Sequence, residues 1–167
     1  PNTGGVAFVR GKHVGTHDGM QWSVENTGFW GDHLAVAPDG RIWMYDEYDG
    51  ICSRGSSEEN WVTVKPNYIF PYDCDKMMVG PEGKPLLLGD KGLYRFDGTL
   101  LVKLRTSQSN IPYNAVAHLA ITGKQTVWGS FGDVEIDWQS GKDLACFVDG
   151  KWHSLSDSMD ELRYKKV

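Results

Sequence analysis

The chain is written in short apolar runs separated by polar turns. HLAVA (33–37), RIWMY (41–45), WVTVK (61–65), KPLLLG (84–89), LYRF (93–96), TVWGS (126–130) and CFV (146–148) are rich in Trp, Leu and β-branched residues. They are bounded by Pro-Asp-Gly, Pro-Glu-Gly or Asp-Gly, the residue pairs that reverse a chain tightly. No segment sustains a helical period over three turns; only the tail 157–167 has the composition for one. The pattern predicts strands throughout.

The runs recur in a fixed phase. GLYRFDGTLLVKL (92–104), HVGTHDGMQWSVE (13–25) and LACFVDGKWHSL (144–155) share a strand-like run, an Asp-Gly, and a second run carrying Trp or Leu. HLAVAPDGRIWMYDEYDGI (33–51) superposes without gaps on KMMVGPEGKPLLLGDKGL (76–93), which sets Gly40 on Gly83 and Trp43 on Leu86, 43 positions apart. A third copy, HLAITGKQTVWGSFG, begins at His118 and needs one extra residue before Trp128. Trp22, Trp61 and Leu101 are spaced by 39 and 40 positions, and Trp152 follows 51 later because 132–142 carries an insertion. A period of roughly 40–45 residues with four short strands, a to d, is the signature of propeller blades. A β-sandwich is the competing architecture, but it does not require the same turn at the same phase.

The Asp-Gly, strand, Gly-Leu-x-x-Phe-Asp-Gly, aromatic-strand phrase resembles the two-component regulator propeller repeat. SNIPYNAVAHLAI (109–121) is similar to that family's Leu-Pro-x-Asn-x-Val lead-in to a blade. The likeness covers most of the chain, most strongly 32–49, 75–104 and 109–152. It implies an all-β fold, a small β-propeller of four-stranded antiparallel blades. It also implies a sensor-like binding role, since blades of this family usually form sensor propellers attached to histidine kinases or stand alone. No kinase-like segment is present here.

Blades are expected at about 32–65, 75–106 and 114–155 of a single domain, 1–167. GVAFVR, KHVGTH and MQWSVE, within 1–26, read as strands b, c and d of a fourth blade whose inner strand is supplied by the tail, 156–167. An open inner edge invites unwanted pairing, which argues for such closure. A monomer is therefore expected; the alternative is a homodimer in which two arcs close a larger ring.

Composition narrows the partners. The net charge of −5 and a pI near 5.5 leave no electrostatic footprint for nucleic acid. No apolar run approaches the roughly 18 residues of a membrane helix. Cys52, Cys74 and Cys146 are an odd number without a CxxC and read as free thiols. There is no signature for a cofactor: no phosphate loop, Gly-x-Ser-x-Gly or zinc spacing. The chain begins Pro1-Asn2-Thr3 without a signal-like segment, and compartment is not encoded.

Blade topology divides the loops between two faces. One face holds the a–b and c–d turns, minimal reversals with little to grip a ligand. The other holds the d–a and b–c loops, with Phe29 and Trp30; Tyr68, Phe70 and Tyr72; Tyr113; and Asp46, Glu47, Tyr48 and Asp49. Aromatics beside carboxylates on loops above a rigid scaffold describe a recognition surface. Asp133, Glu135 and Asp137 in the insertion lack calcium-loop spacing and read as a solvated ribbon. His33, Lys76 and His118 fall at equivalent positions where the a strands begin, with Asp32 and Asp75 beside two of them. Two histidines and a carboxylate can hold a metal or move protons, and they can equally make hydrogen bonds between blades. The expected ligand-binding set is Trp30, His33, Tyr72, Lys76, Tyr113 and His118, for a small polar molecule such as a sugar, or a peptide. The expected activity is non-enzymatic binding, the alternatives being a metal-assisted lyase or hydrolase and a protein–protein assembly module.

Overall fold

The computed structural model describes residues 6–55, 60–64, 74–80, 82–89, 92–103, 115–122, 126–132, 143–148 and 151–154. β1 (Val6–His17) and β2 (Trp22–Gly31) form an N-terminal ribbon. β3 (His33–Val36), β4 (Ile42–Asp46), β5 (Gly50–Arg54) and β6 (Val62–Val64) make the first four-stranded sheet. β7 (Cys74–Val79), β8 (Pro85–Gly89), β9 (Gly92–Phe96) and β10 (Leu101–Lys103) make the second. β11 (Ala115–Thr122), β12 (Thr126–Gly132), β13 (Asp143–Val148) and β14 (Lys151–Ser154) make the third. Each sheet is an antiparallel meander, as tight turns between consecutive runs require.

The three sheets share one register. Trp43 pairs with Ala35, Leu86 with Met78, and Trp128 with Ala120. On the outer side His17 pairs with Trp22, Phe96 with Leu101, and Phe147 with Trp152. Even the irregularities repeat: β7 is bulged between Cys74 and Lys76, and β11 between Val116 and His118.

The inner sheets are covered on both faces, which is why β4 and β8 are continuous apolar runs rather than alternating ones. Ile42 and Met44 face the ribbon's Val14 and Phe29, while Trp43 and Tyr45 face Met77, Leu87, Tyr94 and Phe96 of the second sheet. Leu86 and Leu88 turn the other way, onto Leu119, Val127 and Ala145 of the third. β3 lies beside β7, so the inner strands of the first two sheets are neighbours.

The Asp-Gly phrase is a self-satisfied turn. Asp97 Oδ1 accepts the N–H groups of Thr99 and Leu100, both at 2.7 Å, and Asp18 Oδ1 accepts those of Met20 at 2.8 Å and Gln21 at 2.9 Å. Gly98 follows at φ 115, a conformation that favours a residue without Cβ.

The ribbon departs from expectation in two ways. Residues 5–10 and 12–17 read as separate strands, whereas Val6–His17 is one strand, β1. It is bent: the Phe8 ring lies over Gly15 and 5.5 Å from Trp22. Seven extended residues span roughly 23 Å, so the first arm doubles back at Gly11, whose φ is 59. Trp22, which shares the repeat phase of the buried Leu101, is 56 % exposed. It shares the ribbon's outward face with Phe8 and Val24, and the rings it meets there are Phe8 and His17. The strand expected to close this blade, 156–167, lies outside the described residues.

Candidate functional site

β2 runs directly into β3, so Trp30, Asp32 and His33 are set in a row at the d–a junction. Trp30 is 53 % exposed yet fixed. Its backbone N–H donates to Asp49 Oδ2 at 3.3 Å, the Lys12 ammonium stands over its ring at 5.7 Å, and Gly11 lies against the ring, where an added Cβ would sit 3.1 Å from the indole. Cation–π contact and close packing on a bare glycine brace the ring while about half of it stays open to water.

The neighbouring b–c turn supplies carboxylates. Asp46 is buried, at 6 % exposure, and its Oδ1 accepts the N–H groups of Tyr48 and Asp49, both at 2.8 Å. Asp32, whose own backbone N–H donates to the Tyr45 carbonyl at 3.0 Å, brings a second carboxyl alongside. Loss of water around that carboxyl, then the Asp46 charge and a hydrogen bond shared with it, raise the pKa of Asp32. Asp32 is exposed, so water screens the repulsion and its energetic weight is small.

His33 begins β3 half-buried, its ring 6.4 Å from the ring of Tyr45. Beneath it the interior is closed to ionisation. Burial foremost raises the Tyr45 phenol, and burial pushes the Cys74 thiol up to about 11. Lys76 is exposed, and its ammonium donates to the Leu119 carbonyl at 3.3 Å, tying the second sheet to the third.

The register expected of His33, Lys76 and His118 is the one found: they pair with Tyr45, Leu88 and Ser130, each two positions before Ala35, Met78 and Ala120. The backbone of His118 is described; its side chain, Tyr72 and Tyr113 lie outside the described residues. Among the described residues no group of three His, Cys, Asp or Glu is placed to hold a metal. Lys12, Gly11 and the Asp32–Asp46 pair were not anticipated. The conformational freedom of Gly11 was their one visible cue, since cross-element contacts leave no periodic mark.

The opposite face also differs from expectation. Between β8 and β13 it holds a recess lined by Gly80, Glu82, Lys84, Leu86, Arg95 and Phe147.

No protein-family model matches the sequence, and no curated protein matches it. Solved structures do. A streptogramin B lyase structure superposes with a TM-score of 0.59 at 12 % identity, over 92 % of this chain and 51 % of that one. The extracellular domain of BT4673, a putative one-component system from B. thetaiotaomicron, gives 0.53 at 16 % identity, over 92 % and 20 %. YCF48 bound to D1 peptide gives 0.53 at 10 % identity, over 89 % and 50 %. The fold is β-propeller-like. The propeller-like arc described here spans about half the length of the lyase and YCF48 chains it matches, and about a fifth of the BT4673 domain. At such identities the likeness is one of fold.

Proposed function

We propose that this chain is a non-enzymatic binding module of a β-propeller, engaging a small polar ligand or a peptide on the d–a and b–c face. One observation carries the reading: Trp30 is an exposed but braced aromatic platform on the same rim as the Asp32–Asp46 carboxyls and His33. A sugar ring stacks on such a face while its hydroxyls bond to the carboxylates, and a peptide can use the same groups. The full set comprises Trp30, His33, Tyr72, Lys76, Tyr113 and His118. A sensor role in a longer protein, as the two-component regulator resemblance implies, is compatible with this site. The solved BT4673 domain is described as part of a putative one-component system.

The test is a glycan array and a peptide array probed with the purified protein, followed by calorimetry on any hit. Trp30→Ala should weaken binding at least about ten-fold, equivalent to 1.4 kcal/mol, with the melting temperature unchanged. A hit insensitive to both Trp30→Ala and Asp49→Asn removes this face from consideration.

A second reading, an assembly module, is favoured by the exposed Phe8, Trp22 and Val24 on the ribbon. Light scattering of Trp22→Ser against the parent protein separates the two: loss of a higher-mass species supports assembly.

A further inference from the structure

The boundaries between sheets repeat one arrangement. Between the first and second sheets the Trp43 indole crosses over: its N–H donates to the Gly83 carbonyl at 3.0 Å, and its ring meets Phe96 edge-on at 5.7 Å. Leu87, Tyr94 and Leu101 complete the face of the second sheet that receives it. One boundary later Leu86 holds the ladder position of Trp43 and turns onto Leu119, Val127 and Ala145 of the third sheet. The position recurs a third time as Trp128. Val127 and Ala145 take the inner side of the third sheet, so Trp128 and its ladder partners Ala120 and Cys146 stand on its far face, with Leu144 two residues from Cys146. Ala120 and Leu144 are exposed there, and the Trp128 N–H reaches only Thr122 Oγ1 of its own sheet, at 3.4 Å.

The other end of the arc presents the matching face. His17 and Trp22 are the ladder pair equivalent to Phe96 and Leu101, and Gly15, two residues before His17, falls where Tyr94 does. The Phe8 ring lies over Gly15 and restores the bulk that Tyr94 supplies in the second sheet. Phe8, His17, Trp22 and Val24 therefore form, on the ribbon, the counterpart of the face on which Trp43 rests. Phe8, Trp22 and Val24 are all exposed, a contiguous apolar patch of the kind that marks an interaction surface.

We propose that the far face of the third sheet docks on the ribbon of a second copy of this chain. Trp128 then meets that ribbon as Trp43 meets the second sheet, and the reciprocal contact closes two arcs into one ring. The two faces are different surfaces, so the contact is head-to-tail and is made twice in the closed pair. The length fits: this chain spans 51 % of the streptogramin B lyase chain and 50 % of the YCF48 chain, so two copies match one chain of that size. The inference gives the assembly reading its partner and geometry and rests on that reading; it makes no use of the site at Trp30.

Light scattering of the whole chain at rising concentration should give the mass of two chains, twice 18.7 kDa. Trp22→Lys and Trp128→Lys should each give the mass of one chain, because each removes one member of both contacts. An equimolar mixture of the two variants should recover a two-chain species, since the intact ribbon of one still fits the intact third sheet of the other. A parent protein with the mass of one chain overturns the proposal together with the assembly reading. Dissociation by Trp22→Lys while Trp128→Lys stays paired leaves the assembly reading standing and overturns the head-to-tail contact, as does a mixture that keeps the mass of one chain. Should Trp128→Lys fail to fold, Leu144→Lys, at an exposed position on the same face, takes its place in every arm.

Discussion

The indole N–H of Trp43 donates to the carbonyl of Gly83, 3.0 Å away on the neighbouring sheet. The donor and its acceptor lie 40 positions apart in sequence, close to one repeat. A polar contact and a buried ring are thus combined in one side chain at the blade boundary. Trp43→Ala should cost about 3–5 kcal/mol, the usual loss for truncating a large buried aromatic. Trp43→Phe keeps ring surface and loses the hydrogen bond, for about 0.5–1.5 kcal/mol plus the volume lost. Urea unfolding of the two variants separates these contributions, and a loss below about 1 kcal/mol for Trp43→Ala would show that the boundary does not depend on this ring.

Acid should weaken the turns and relieve the rim. The backbone N–H groups of Leu100 and Thr99 hold Asp97 below the usual carboxylate range, and those of Gln21 and Met20 do the same for Asp18. Their contribution is present above the unfolded pKa, about 3.9, and disappears as pH falls through the lower folded values. Asp97→Asn should therefore flatten the acid limb of the stability curve.

Asp32 runs the other way. Its pKa is raised, so its stabilisation is complete below the unfolded value and is lost as pH rises through the folded one. At neutral pH Asp32→Asn should stabilise the fold by about a few tenths of a kcal/mol, as expected for a screened, exposed charge. Carboxyl NMR titration gives the order of the three groups; an Asp32 that titrates below Asp97 would contradict the assignment.

Cys52 is inaccessible, and burial pushes its thiol up to about 12. Near pH 8 it is neutral and enclosed. Cys52 shares the interior with the ribbon's Val14 and Phe29, so a thiol-reactive chromophore should modify it only as the ribbon lifts from the first sheet, which makes Cys52 labelling an internal clock for that opening. Labelling on the mixing timescale in the native protein would place it elsewhere.

Gly11→Ala places a Cβ near the Trp30 ring at a backbone angle that L residues adopt with strain. The expected cost is about 1–2 kcal/mol, with a shift in the emission of Trp30. An unchanged spectrum in a background where Trp30 dominates would refute the contact.

The repeat was legible because it is one-dimensional. Gly40 over Gly83 and Trp43 over Leu86 mark a phase, and phase fixes register once turns are tight. The same phase correctly set His33, Lys76 and His118 at equivalent ladder positions. What phase does not carry is who covers a face. Trp22 occupies the outer-strand position that Leu101 occupies, yet Leu101 is buried beneath the first sheet while Trp22 is open. Equivalence also concealed volume. Leu86 takes the ladder position of Trp43 with a smaller side chain, and Leu93, Leu119 and Val127 close around it. On the rim, Lys12 meets Trp30 through the bend at Gly11, a contact set by tertiary geometry rather than by spacing.

Trp43 and Met44 are adjacent in the chain and stand in different interiors, one shared with the second sheet and the other with the ribbon. β4 is therefore a party wall, and β8, with Leu87 on one side and Leu88 on the other, is a second. A wall owned by two rooms cannot be taken down for one. Loss of β4 empties the interiors on both sides together, so the first and second sheets should melt in a single step rather than peel apart. The ribbon, walled on one side, can lift away without emptying the interior between the first and second sheets, and native-state hydrogen exchange should begin early there.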